Sequence, residues 1–234
     1  MRTILRLKQF IFVLLTVTLL SSCLKSDDPD FAITYRNAVV LQKNTVITEE
    51  GEPERVEKRF LPYIQIIANE AMESYACQGP DGILSMEPIS DSYGQGAQSK
   101  ILMSQFSSTF PKGTYRVSVK NAKQEIAGWS FDIKETEKTL GALKAEISYE
   151  NGRVKAKWNK VENASFYIVG IGAKGEPYSL IQGKQFTNSP ESGVDFAISD
   201  ISAGFAKGEY QLLVRAVQAD ANIVLDSESI LIEL

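Results

Sequence analysis

The stretch Phe110-Pro111-Lys112-Gly113-Thr114-Tyr115-Arg116-Val117-Ser118-Val119-Lys120 carries the pattern from which the fold class follows. From Tyr115 on, Tyr115, Val117 and Val119 fall on one face and Arg116, Ser118 and Lys120 on the other. A period of two marks a half-buried strand of an antiparallel sheet. Similar runs occur at 61–68, 100–106, 126–133, 143–149, 153–159, 166–171, 210–217 and 223–225. Glycine, proline, asparagine and aspartate lie between them, and no stretch carries a convincing amphipathic helical period. Many short strands parted by turn residues predict an all-β sandwich architecture.

The front of the same stretch recurs. Phe205-Ala206-Lys207-Gly208-Glu209-Tyr210 matches residues 110–115, and positions 110 and 205 lie 95 residues apart. Each copy leads into an alternating strand, a short polar turn and a final strand, at 124–133 and 222–234. One immunoglobulin-like sandwich takes ~100 residues. Two tandem β-sandwich domains are therefore expected, 31–137 and 138–234, parted in the charged stretch Lys134-Glu135-Thr136-Glu137-Lys138.

Residues 158–169 of the second copy place Trp158, Val161, Ala164 and Tyr167 at successive gaps of three, followed by Val169. This resembles the fibronectin type III signature. Ile201 followed by Gly208, Tyr210, Leu212, Val214 and Ala216 resembles the end of the same fold. The resemblance covers about residues 141–234. It implies a seven-stranded sandwich with Trp158 and Tyr210 in the core, and no activity, since sites are grafted onto folds. The first copy lacks the tryptophan and reads as an immunoglobulin-like or fibronectin-like sandwich of open strand order. Within it, 48–59 carries glutamate at 49, 50, 52, 54 and 57 and basic residues at 55, 58 and 59, and reads as a solvated hairpin tip.

At the N-terminus, Arg2, Arg6 and Lys8 precede an apolar run from Phe10 to Leu20, broken only by Thr16 and Thr18. That is the pattern of a secretory leader, and the run is too short for a transmembrane helix, which needs roughly 20 residues. Leu20-Ser21-Ser22-Cys23 resembles the bacterial lipobox. The resemblance implies cleavage between Ser22 and Cys23, leaving residues 1–22 as signal peptide, and lipid attachment at Cys23. The mature chain would be held on the membrane through two or more acyl chains, which makes attachment stable. Residues 23–30 form a lipidated acidic tether containing Asp27, Asp28, Pro29 and Asp30. The tether is similar to the export signal of Bacteroidota lipoproteins, which implies an outer-membrane location facing the cell surface. A solvated linker without an address is the alternative. Its aspartates lack the spacing of a calcium loop.

The leader holds three of the 25 basic residues and none of the 29 acidic ones, so the mature chain carries 22 against 29, a balance of −7. No Lys/Arg cluster is visible, and no nucleic-acid partner is expected. The chain has no histidine and two cysteines. With Cys23 lipidated, Cys77 is left alone, which excludes Cys-His and Ser-His-Asp catalysis and sites built on imidazole or several thiolates. Cys77 alternates with Tyr75 and reads as a small buried core residue rather than a reactive thiol.

No nucleophile elbow, phosphate loop or dinucleotide fingerprint occurs. With 29 acids, some pair of carboxylates can always be proposed for hydrolysis, so that count decides nothing. Asn163-Ala164-Ser165 matches a glycosylation pattern and is read as chance. Trp129 is in phase with Phe131 and Ile133, and Trp158 with Val154 and Ala156, so both tryptophans read as core. The aromatics left for ligand contact are Tyr93, in the loop 90–99, and Tyr178, in the loop 173–193; each reads more readily as an ordinary loop residue than as a sugar platform. The expectation is a non-catalytic envelope lipoprotein, with no cofactor or metal, that binds a surface glycan or a protein partner. The alternative is a structural spacer or an adhesion/assembly subunit of a surface complex.

Overall fold

Alternation becomes strand wherever one face is covered. In β7 (Gly113–Lys120), Tyr115, Val117 and Val119 are buried while Thr114, Arg116 and Ser118 are exposed. A computed structural model of the chain describes residues 30–48, 55–84, 87–88, 99–174, 180–190 and 192–234. The first half supplies β1 (Ile33–Ile47), β2 (Arg55–Ala68), β3 (Ser74–Gly79), β4 (Gly82–Ile83), β5 (Glu87–Pro88), β6 (Ser99–Met103), β7 and β8 (Ile126–Ile133). The second supplies β9 (Ala145–Glu150), β10 (Arg153–Trp158), β11 (Phe166–Ala173), β12 (Gln182–Phe186), β13 (Val194–Ala197), a one-turn helix α1 (Ser199–Ser202), β14 (Glu209–Gln218), β15 (Ile223–Asp226) and β16 (Ile230–Glu233). The fold is all-β, as the alternation requires.

Local chemistry fixes several turns. Asn151 and Gly152 both have positive φ, 52° and 74°, and link β9 to β10 through a two-residue loop between the paired Glu150 and Arg153. That is the backbone twist a tight hairpin needs, and Asn-Gly adopts it at the least strain.

Among the described residues three sheets result. One has four strands in the order β4-β3-β7-β8, all from the first half, and one has three in the order β13-β10-β9, all from the second. The third has nine strands drawn from both halves, in the order β12-β11-β14-β15-β1-β2-β6-β5, with β16 also on β14. The join is parallel: Val40, Leu41 and Gln42 of β1 pair with Ile223, Val224 and Leu225 of β15. The boundary expected at 137/138 thus parts the strands of the two halves without parting their sheet. Phe31–Leu234 forms one compact unit.

Central strands of the large sheet are buried on both faces. One apolar cluster lies on the side that carries Val40, Ile64, Val214 and Ile223, together with Val117, Val154 and Trp158 of the smaller sheets. A second cluster gathers Leu41, Leu61, Tyr63, Ile101, Val217 and Val224. Val40 and Leu41 are chain neighbours in different clusters, the signature of a strand covered on both sides.

The 95-residue repeat has a structural cause. The Tyr115 hydroxyl donates to the Pro111 carbonyl at 3.1 Å, and the Tyr210 hydroxyl donates to the Ala206 carbonyl at 2.9 Å, each bond spanning four residues. Both motifs are tyrosine corners, in which a phenol ties a strand to the turn before it. The glycine between is required in the first copy. Gly113 has φ 124°, and a Cβ there would lie 2.9 Å from Pro80.

Several expectations need amending. The stretch 48–59 is not all hairpin tip: Arg55–Arg59 belongs to β2, where Glu57 and Arg59 pair at 3.0 Å. Its glutamates 49, 50, 52 and 54 fall outside the described residues. Trp158 is buried, at 4 % exposure, but Tyr210 is only partly buried and packs against the core from its rim.

Candidate functional site

Trp129 is the tryptophan that alternation placed in the core and the fold leaves half open. It pairs with Val117 across the β7–β8 ladder and points inward, but β8 is the edge strand of its sheet. No described strand therefore flanks its ring on one side, and the ring is only partly buried. Phe131 follows on the same face, its ring centroid 4.4 Å from that of Trp129, and stacks on Tyr115 at 5.4 Å with planes 9° apart. These distances suit aromatic pairs, so the three rings form a rigid row.

Across from this row, β1 brings Arg36, whose guanidinium carbon sits 5.8 Å from the Trp129 ring centroid, within cation–π range. Among the described residues no carboxylate forms an ion pair with Arg36. The turn at Asp220, Ala221 and Asn222 closes one end, with Asn222 at φ 50° and its carbonyl accepting the Val40 N–H at 2.8 Å. The enclosed groove has a volume of about 390 Å³, within the range of small-ligand sites. Asn37, Lys134 and Asp220 add polar groups along its rim. An aromatic face beside amide, cationic and carboxylate groups suits a flat, partly apolar, hydroxyl-rich ligand.

A larger depression of about 660 Å³ lies against the solvent side of β9, β10 and β13, among Glu146, Lys155, Lys157 and Asp195. It holds no aromatic ring, and Arg153 and Asp195 beside it are satisfied by each other at 2.7 Å. The aromatic groove is the better site.

The residues singled out from the sequence are not brought together here. Ser22, Cys23, Tyr93 and Tyr178 all lie outside the described residues. Trp158 is sealed between Tyr167 and Phe186, with ring centroids 5.6 Å away in both cases, and contacts no groove. The groove residues escaped sequence reasoning because Trp129 keeps the same inward phase whether its strand is central or at an edge.

Cys77 is buried, at 2 % exposure, and burial pushes its thiol up to about 11 from 9.0. The Tyr115 hydroxyl is pushed up to about 12, chiefly by burial, with Cys77 and Asp81 adding to it. The native state therefore keeps the Cys77 proton between pH 9 and 11 while the unfolded chain loses it. Stability from this group is complete below pH 9 and is lost as pH rises toward 11, by about 2–3 kcal/mol. Cys77→Ala should flatten that alkaline limb in urea titrations, and a thiol reagent should label Cys77 only after unfolding; rapid labelling of the native protein would contradict both.

Among the described residues no helix is long and apolar enough to cross a membrane, and no group of three or more Cys, Asp or Glu could hold a metal ion. Compared with known proteins, the chain matches no family model and no curated protein sequence.

Proposed function

We propose that the protein is a non-catalytic lipoprotein, anchored through Cys23 in the outer membrane and facing the cell surface, whose groove between β1 and β8 binds a surface glycan or a protein partner. The carrying observation is the open Trp129–Phe131 pair with Arg36 against it. A sugar ring presents a C–H face that stacks on an aromatic ring and hydroxyls that take polar neighbours, and the groove offers both. The sheet order of the second half, β9, β10 and β13 against β12, β11, β14, β15 and β16, supports the fibronectin type III-like reading of 141–234. A sandwich of that kind serves as a frame for a surface site.

The chain has two tryptophans, so Trp158→Phe leaves Trp129 as the sole reporter in the groove. Titrated with purified bacterial and plant polysaccharides, this variant should change its emission with at least one of them. Trp129→Ala in the otherwise native chain should weaken that binding ~10-fold or more, as loss of a stacked ring does, measured at a temperature where circular dichroism shows the variant folded. In cells, Cys23→Ala should move the chain from the membrane to the soluble fraction. Silence across all polysaccharides would remove the glycan reading, and unchanged fractionation would remove the anchor.

The spacer or assembly reading keeps one observation in its favour, the outer edge of β8, which no described strand pairs.

A further inference from the structure

The outer edge of β8 is the longest strand edge left open among the described residues. Elsewhere the edges are short or charged. The strands β4, β5 and β13 have two, two and four residues. In β12, Lys184 is held by Asp200 at 3.0 Å, and β9 carries Glu146 and Glu150. By contrast β8 runs eight residues in unbroken register with β7, with no proline, no bulge and a single charge, Asp132. A long, charge-poor edge offers a row of backbone N–H and C=O groups to another strand, which protein folds ordinarily prevent.

The second repeat shows how this architecture fills such an edge. Its closing segment begins with β15, whose outer side is taken by β1 in parallel. The closing strand of the first repeat is β8, and no described strand takes its outer side.

We propose that β8 pairs with β8 of a second copy of this chain, antiparallel across a two-fold axis that sets Ser130 opposite Ser130. The strand is self-complementary in that register. On the inward face Trp129 meets Phe131 of the other copy, and Ala127 meets Ile133. On the outward face Gly128 meets Asp132, so the two aspartates never oppose each other. Aromatic pairs and large-on-small contacts are what stabilise neighbouring strands, and a two-fold interface requires one patch to complement itself. The pairing would join the two four-stranded sheets into one. It would also set Phe131 of the other copy against the open side of Trp129, where the groove lies. The inference shares Trp129 with that reading but does not depend on a ligand, so the two can fail separately.

Residues 31–234, the compact unit, suit sedimentation and light scattering over a wide range of concentration. A reversible monomer–dimer equilibrium is expected. Ser130 is exposed and lies opposite Arg116 on β7, so Ser130→Glu gains a favourable neighbour within the chain and keeps the fold, while facing its own copy across the axis. It should weaken the dimer ~10-fold or more. Ser130→Lys should also weaken it, and an equimolar mixture of the two variants should restore the dimer as a mixed pair, with melting temperatures confirming that both are folded. A monomer at every concentration would overturn the proposal. So would a dimer indifferent to Ser130→Glu, a mixture that fails to reassociate, or an edge that accepts only an extended segment of a different protein.

Discussion

Arg215→Leu is expected to lower the unfolding free energy by about 3–5 kcal/mol, the usual result of stranding one member of a buried ion pair. Arg215 and Asp226 stand opposite each other on β14 and β15. Arg215 Nε and one terminal nitrogen reach the two Asp226 oxygens at 2.6 and 2.8 Å. The side chains are only 12 % and 8 % exposed, so water cannot solvate the carboxylate once the guanidinium is gone. The double variant Arg215→Leu/Asp226→Leu should recover most of the loss, because an apolar pair of similar volume removes the stranded charge with its partner. Guanidinium denaturation of the wild type, both single variants and the double variant closes the cycle. A single variant within about 1 kcal/mol of wild type, the range of exposed pairs, would show that the pair is solvated in solution.

Gln42→Leu carries the second large effect, about 2–4 kcal/mol, from leaving a buried backbone donor and acceptor unpaired. The Gln42 side chain is 2 % exposed and lies on β1 at the join of the two halves. Its amide nitrogen donates to the Leu140 carbonyl at 2.7 Å and to Asn44 Oδ1 at 2.7 Å. Its carbonyl oxygen accepts the Leu140 N–H at 3.0 Å. Leu140 itself is fully buried, so the connector between β8 and β9 has no water to turn to. Leucine keeps the volume and removes all three bonds. Nearby, Asn44 donates to the Gly141 carbonyl at 2.9 Å in a part-exposed setting, and Asn44→Ala should cost less, about 1 kcal/mol. Thermal unfolding gives the magnitudes. Hydrogen exchange at the Leu140 amide gives the mechanism, with faster opening expected in Gln42→Leu and an unchanged rate counting against it.

Gln42 also illustrates where reading the chain succeeds and fails. Strands with one covered face were legible: 126–133 was expected as a strand and β8 spans Ile126–Ile133, and 153–159 was expected where β10 spans Arg153–Trp158. β1 was missed, because Val39 to Gln42 are apolar or buried without alternation. A polar glutamine at a buried position looks like a solvent-facing residue until its partner, 98 positions away, is known. The β1–β15 pairing was equally hidden, since parallel partners from opposite ends of a chain leave no local turn signal.

The candidate site divides the same way. Trp158 and Trp129 share the inward phase of their strands, yet one is sealed and the other lines a groove.

Backbone periodicity, turn chemistry and the repeated tyrosine corner are local properties, set by neighbours within a few residues, and they were sufficient to assign the all-β class, most strands and the 95-residue repeat. The tertiary structure alone decided that the halves share a nine-stranded sheet, that β8 lies at an edge, and that Arg36 meets Trp129. Those facts depend on which strands find each other across the chain. A strand carries the same alternation whether its edge is paired or open, so burial at an edge is written in the assembly of strands and not in any one of them.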